Sequence, residues 1–335
     1  MEPHRRPIRM ALGALLLLQE IHSTSAKVVG VTVDIEATEA RTPPDPVTHR
    51  TSPNGPDPVL FWDNMEVLRN ATAAAHALGL RFSADTRTYW PNFPVTNPVD
   101  QSKRPAHEIV MEIVDEVVLM DYFGGCRGPQ SVAGATCNPM TALFYAAPFL
   151  SYSNLLYRRC NRTALVTVGV AVEEHAGKTP DRFRSSNELE TFLNQSAKMI
   201  EGFTQSSASP QGFAAFHRFA VFQDHAYMNM TDRTPCTVHA CAARVPRALW
   251  SYSSDVFDNV TYAHTFVGWC VEQAIDEVYL LHSCPARMDA ATKGGLLRFV
   301  SIADASGVDV QLYAGESNQD VGPCMEAIAE LLRTE

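Results

Sequence analysis

From Val28 to Glu36 the chain alternates strictly. Val29, Val31, Val33 and Ile35 are β-branched aliphatics, and Gly30, Thr32, Asp34 and Glu36 between them are small and then acidic. Period two puts the two sets on opposite faces of a strand. An aliphatic face suits packing under helices, and a small-then-acidic face suits a barrel interior that opens onto a site at the strand's carboxyl end. The stretch Leu165 to Glu173 repeats the design, with Thr167, Gly169, Ala171 and Glu173 on one face and Val166, Val168, Val170 and Val172 on the other.

Between and beyond these strands the pattern switches repeatedly from period two to period 3.6. A Pro-rich loop from Arg41 to Pro58 leads into a predicted helix over Val59 to Leu78, ended by Gly79. A strand over Leu80 to Asp85, with Arg81, Ser83 and Asp85 on one face, precedes a loop carrying Tyr89, Trp90 and Phe93. A short helix near His107 to Ile113, a strand from Glu116 to Tyr122 and a helix from Thr141 to Arg158 come next, and the second alternating strand follows them. A helix starting at Ser185 or Ser186 and a strand from Gly212 to His217 precede a long loop with Asp224 and His225. The series closes with a helix over Thr261 to Ala274, a strand over Glu277 to His282, a helix over Arg287 to Ala305, a strand over Val308 to Ala314 and a helix over Met325 to Leu332.

Seven strands alternating with helices predict an α/β fold with a parallel sheet, and closure into a TIM-type (β/α) barrel removes its edges. Returns from helices are short at Leu78-Gly79 and Ser306-Gly307, whereas loops leaving strands are long. The predicted strand ends on the long-loop face are polar: Asp34, Glu36, Asp85, Asp121, Tyr122, Glu173 and His217. A doubly wound open sheet would place ligands at the same ends, but the sequence has no glycine-rich nucleotide fingerprint.

Composition narrows the setting. A formal charge of −10 over 335 residues, with no basic cluster in the body of the chain, excludes nucleic acid and anionic membrane as expected partners. Residues 1–26 read as a secretory signal: Arg5, Arg6 and Arg9, the apolar run Ala11 to Leu18, then Thr24-Ser25-Ala26. That run is too short to span a bilayer, and nothing later resembles a transmembrane segment. The expectation is a secreted or lumenal protein with a single barrel domain over residues 27–335. Sequons at Asn70, Asn161, Asn194, Asn229 and Asn259 and an even count of eight cysteines suit that compartment. Cys126 with Cys137 and Cys236 with Cys241 lie in loop-like stretches suited to local disulfides, although eight cysteines allow 105 connectivities.

The strand ends also carry a resemblance. Val-Asp-Ile-Glu at Val33 to Glu36, Val-Val-Leu-Met-Asp-Tyr at Val117 to Tyr122, Val-Thr-Val-Gly-Val at Val166 to Val170 and Gly-Phe-Ala-Ala-Phe at Gly212 to Phe216 resemble, in order, the later strands of chitinase-like glycoside-hydrolase barrels and related uncharacterised barrels. The last Asp and Glu of that family's DxxDxDxE match Asp34 and Glu36, and its Met and Tyr match Met120 and Tyr122. Val29 and Thr32 stand where the family has its first two acids, and Phe123 where an Asp follows the Tyr. In such barrels about three strands precede the Asp-x-Glu strand, and here the tail from Ala274 to Gly315 resembles those opening strands. The chain is therefore expected to be circularly permuted, or cut from a tandem array.

The resemblance implies glycosidic-bond cleavage with a carbohydrate or glycoconjugate as ligand and no cofactor. Two residues of strand rise separate the Asp34 and Glu36 backbones by roughly 6.5 Å, so both carboxyl groups reach one substrate. Glu36 is expected as general acid, and Asp34 as the ionised partner that orients an N-acetyl nucleophile held by Tyr122. Asp85, Trp90, Asp121, Glu173 and His217 are the expected substrate contacts, with Trp90 or Tyr89 stacking on a sugar face. Two other readings stay open: a glycan-binding barrel without catalysis, and a metal-dependent phosphodiesterase or hydrolase using Asp34, Glu36, Asp121, Glu173 and His217 as ligands.

Overall fold

The computed structural model describes residues 28–34, 39–41, 53–56, 58–121, 139–172, 183, 186–206, 215–222, 228, 245, 247–315 and 318–332. Eight parallel strands close into a barrel in chain order. They are β1 (Val28–Asp34), β2 (Arg81–Thr86), β3 (Glu116–Asp121), β4 (Leu165–Ala171), β5 (Phe216–Phe222), β6 (Arg247–Ser251), β7 (Ile275–Leu280) and β8 (Asp309–Tyr313). Outside them run α1 (Pro58–Ala77), α2 (Ala106–Met111), α3 (Pro139–Cys160), α4 (Ser186–Ser206), α5 (Asp255–Asp258), α6 (Val260–Glu272), α7 (Ala290–Ala305) and α8 (Asn318–Leu331). The chain is a (β/α)8 barrel of the TIM type.

Strand parity decides which side chains meet which core. Val31 and Val33 of β1, Val117 and Leu119 of β3, and Val166, Val168 and Val170 of β4 belong to the core between strands and helices. Phe61, Met65, Leu68 and Ala75 of α1, at the spacing of one helix face, are buried in the same core. The opposite parity fills the barrel, where Val118, Ala220, Phe222, Ala248, Trp250 and Tyr279 form a separate apolar cluster. Both alternating strands thus present the faces that their period predicts.

Helix ends follow local chemistry. Gly79 and Gly307 take left-handed φ values of 71° and 75° directly after α1 and α7. There Leu80 N donates to Ala75 O at 2.9 Å and Val308 N to Ala303 O at 2.9 Å, closing the orphan carbonyls of the last turn. Asn259 and Asp289 cap α6 and α7, accepting from Tyr262 N at 3.1 Å and Thr292 N at 2.8 Å.

Three findings correct the sequence reading. An eighth strand, β6, lies where the sequence reads as loop. Its five residues are all buried, and it opens on a fully buried arginine, so no apolar run marks it and its alternation is short. The strand expected over Gly212 to His217 is instead Phe216–Phe222, which moves His217 from the carboxyl end of a strand to the amino end. The last helix begins at Asn318 rather than Met325. Pro323 is accommodated inside it, and Cys324 is buried and bonded to Cys284 at a Cα separation of 5.3 Å. The expected strand order is also met by a barrel that needs no permutation. Val28 pairs with Val310 and Val31 with Leu312, as first and last strands do in any closed barrel.

Among the described residues no helix is long and apolar enough to cross a membrane. The signal-like residues 1–26 and the cysteines at 126, 137, 236 and 241 lie outside the described residues.

Candidate active site at the carboxyl mouth of the barrel

Strands β1 and β2 bring two acids side by side. Their register runs Gly30 to Arg81, Thr32 to Ser83 and Asp34 to Asp85, so both aspartates sit on the interior parity at the carboxyl ends of neighbouring strands. Parallel strands lie roughly 4.8 Å apart. Asp34 is half-buried and Asp85 fully buried. The end of β1 is fixed to the end of β8, with Ala314 N donating to Thr32 O at 2.9 Å and Asp34 N to Gly315 O at 3.2 Å.

The opposite wall is aromatic. With eight strands in sequential order, β5 and β6 stand across the barrel from β1 and β2. Phe222 ends β5, and its ring lies 6.1 Å from Trp250 of β6 and 5.1 Å from Tyr252. Tyr252 is 37% exposed and 6.4 Å from the exposed His282 beyond β7. The mouth therefore sets an acidic side against a stepped aromatic side, buried at Trp250 and open at Tyr252.

The expected site residues divide. Asp34 and Asp85 come together at the mouth. Glu36, Tyr122 and Glu173 lie outside the described residues. Asp121 ends β3 in register with Val170, on the parity of the helix-facing Val117 and Leu119. Trp90 is corrected from a sugar platform to a core anchor. It is 1% exposed in the turn Trp90–Asn92, with its ring 6.1 Å from Phe61 of α1. The half-buried Tyr89 packs edge-on against Phe93 at 5.3 Å.

His217 is corrected too, because it belongs to a different structure at the other end of the barrel. A bulge in β5 pairs Val166 with Phe216 and Thr167 with Arg218, leaving His217 as the extra residue. His217 Nδ1 lies 3.2 Å from Glu116 Oε1, at the start of β3. The same carboxylate accepts from Ser83 Oγ at 3.0 Å, Thr167 Oγ1 at 2.5 Å, Tyr279 OH at 3.1 Å and Gln311 Nε2 at 3.4 Å, and it pairs with Arg81 Nε at 3.2 Å. Arg81 also reaches Glu277 at 2.5 Å, and Arg218 reaches Glu277 at 2.9 Å.

Arg81 and Arg218, with Glu116, Glu277 and Asp276, which Arg218 also reaches at 2.6 Å, thus form an ionic floor at the amino end. Burial pushes the Glu116 carboxyl up, but the His217 hydrogen bond, the Arg81 charge and Thr167 outweigh it and hold the group well below the usual carboxylate range. Burial and the Glu116 and Glu277 charges push the Tyr279 phenol far up, so it stays protonated and donating. This end of a barrel carries stability rather than chemistry.

Sequence reasoning missed Phe222, Trp250 and Tyr252. The usable signal was Arg-Ala-Leu-Trp-Ser-Tyr, whose Ala248, Trp250 and Tyr252 alternate, but the run is too short to stand out from a loop.

No family model matches the chain, and no curated protein matches it. Solved structures similar to it include two of one bacterial enzyme domain. One is a variant of the carboxyl transferase domain of Rhizobium etli pyruvate carboxylase with pyruvate, at 12% identity and a TM-score of 0.34, covering 99% of this chain and 49% of that one. The other is the same domain at 12% identity and a TM-score of 0.30, covering 96% of this chain and 57% of that one. The chain spans about half the length of these structures. Likeness at this level carries nothing about the mouth, whose chemistry rests on its own residues. Among the described residues no three His, Cys, Asp or Glu side chains are placed to hold a metal ion.

Proposed function

We propose that this is a secreted glycoside-hydrolase-like barrel that binds a carbohydrate across its carboxyl mouth and cleaves a glycosidic bond by carboxylate acid–base chemistry. The observation that supports the reading is the opposition of Asp34 and Asp85 on β1 and β2 to Phe222, Trp250 and Tyr252 on the far wall. A sugar ring has an apolar face, which packs on an aromatic ring, and a rim of hydroxyls, which carboxylates accept from. A site with one wall of each kind holds it in one orientation.

Glycosidic cleavage needs one carboxyl to protonate the leaving oxygen and another to stabilise or attack the oxocarbenium-like centre. Glu36, two residues beyond Asp34, takes the acid role, and Asp34 the charged one. Asp85 holds the substrate beside Asp34, and Tyr122 binds the group that Asp34 orients. Exposed sequon asparagines at Asn70, Asn161 and Asn259 are compatible with passage through a secretory pathway.

The test is fluorophore release from a panel of aryl glycosides and chito-oligosaccharides by the secreted protein, beside Glu36→Gln and Asp85→Asn. Turnover is expected in the parent protein, abolished by Glu36→Gln and lowered by Asp85→Asn with the far-ultraviolet circular dichroism unchanged. Binding without turnover would replace the enzyme by a glycan-binding barrel, and neither binding nor turnover would end the carbohydrate reading.

A further inference from the structure

The contacts that start at Glu116 continue up the inside of the barrel. Tyr279 donates its phenol hydrogen to Glu116 Oε1 at 3.1 Å, and its ring lies against Trp250 with centroids 5.1 Å apart and planes at 32°. Trp250 meets Phe222, and Phe222 meets Tyr252 at the rim. Tyr279, Trp250 and Phe222 are all nine-tenths or more buried, and Val118, Ala220 and Ala248 pack around them.

Contacts between apolar rings are less directional than a hydrogen bond and set the position of a ring less sharply. A hydrogen bond to a carboxylate fixes both distance and angle. Glu116 is itself held by groups from β2, β4, β5 and β8, through Ser83, Thr167, His217 and Gln311. It is a fixed reference point inside the barrel, tied to β2, β4, β5, β7 and β8.

We propose that Tyr279 is a positioning residue for the mouth: its hydrogen bond to Glu116 sets the height and tilt of Trp250, and through Trp250 the aromatic wall on which substrate rests. The ionic floor at the amino end thereby governs binding geometry at the carboxyl end. The substrate part of this inference rests on the carbohydrate reading above. The coupling of Tyr279 to Trp250 does not.

Tyr279→Phe keeps the ring and removes only the hydroxyl. Tryptophan emission and the tryptophan bands of the near-ultraviolet circular dichroism are expected to change in this variant, and not to change when Tyr279→Phe is added to Trp250→Phe, which assigns the signal to Trp250. On any glycoside the parent turns over, KM should rise roughly 3- to 10-fold with kcat nearly constant, the loss expected from a misaligned aromatic contact. Ser83→Ala, which removes a different donor to Glu116, should lower Tm and leave the Trp250 signal in place.

A Tyr279→Phe protein with lower Tm but an unchanged Trp250 spectrum and unchanged KM would overturn the proposal, leaving Tyr279 purely structural. If that variant does not fold, Glu116→Leu, which removes the acceptor that Tyr279 donates to, is put through the same two measurements: a shifted Trp250 spectrum and a raised KM support the coupling, and no change in either overturns it. If the parent neither binds nor turns over any glycoside, the carbohydrate reading fails, and the spectral comparison still decides the coupling.

Discussion

His107 illustrates how much one residue's surroundings decide. It sits on α2 with its ring 5.0 Å from Phe149 and 5.8 Å from Tyr152. Burial, and then the Arg104 charge, hold its pKa down to about 4. The unfolded chain takes up a proton near pH 6.5 and the fold does not, so the stabilisation is complete above pH 6.5 and is lost as pH falls from there towards 4. That difference is worth up to about 3 kcal/mol. Urea unfolding at pH 7 and pH 4.5 should show the loss in the parent and a smaller one in His107→Gln. The same scale holds the reversals at Trp90 and His217. A tryptophan in a loop and a histidine at a strand boundary have sequence neighbourhoods that fit a sugar platform or a mouth residue. Packing under α1 and a one-residue bulge settle both otherwise.

Elements are held by contacts between segments far apart in sequence. Arg247, fully buried at the start of β6, donates to Glu190 Oε1 of α4 at 2.5 Å and to Oε2 at 2.9 Å. Removing the carboxylate would take this counter-charge away from a buried guanidinium, so Glu190→Ala should cost roughly 3–5 kcal/mol in urea unfolding. Replacing Glu190 with Gln, which keeps an acceptor, should cost less. The joint between α7 and α5 is set by size instead. A Cβ on Gly295 would come 2.0 Å from Phe257 O, so Gly295→Ala must push the helices apart. Its expected cost is about 1–3 kcal/mol or more, read as a drop in the urea midpoint. Helix ends, by contrast, were legible because Gly79 and Gly307 act within their own turn. The strand β6 was not, since the groups that meet it are far away in sequence: Glu190 of α4 pairs with Arg247, and Phe222 and Tyr279 pack on Trp250.

At the scale of the whole molecule, the disulfide between Cys284 and Cys324 ties the segment after β7 to α8 across 40 residues of sequence. Closing a loop of that length should contribute about 2–4 kcal/mol. Reductant is expected to lower the Tm of the parent, and to lower that of a Cys284→Ser, Cys324→Ser protein by less. The floor gives the barrel a second, acid-sensitive tie. Because Glu116 is held below the ordinary carboxylate range, its contribution is complete above the pKa of an unfolded glutamate. It is lost as pH falls through the lower folded value.

The sequence by itself determined the fold class, the two faces of β1 and β4, the glycine stops of α1 and α7, and the presence of acids at strand ends. Each of these is written in residues a few positions apart, where periodicity and backbone conformation act. Only the tertiary structure decided that Asp85 lies beside Asp34, that aromatic rings from β5 and β6 face them, and that polar residues at the strand starts are a floor rather than part of the mouth. Arg81 and Glu277 are 196 positions apart. Strand register and closure bring such pairs together, and no local pattern records which strand will stand opposite which.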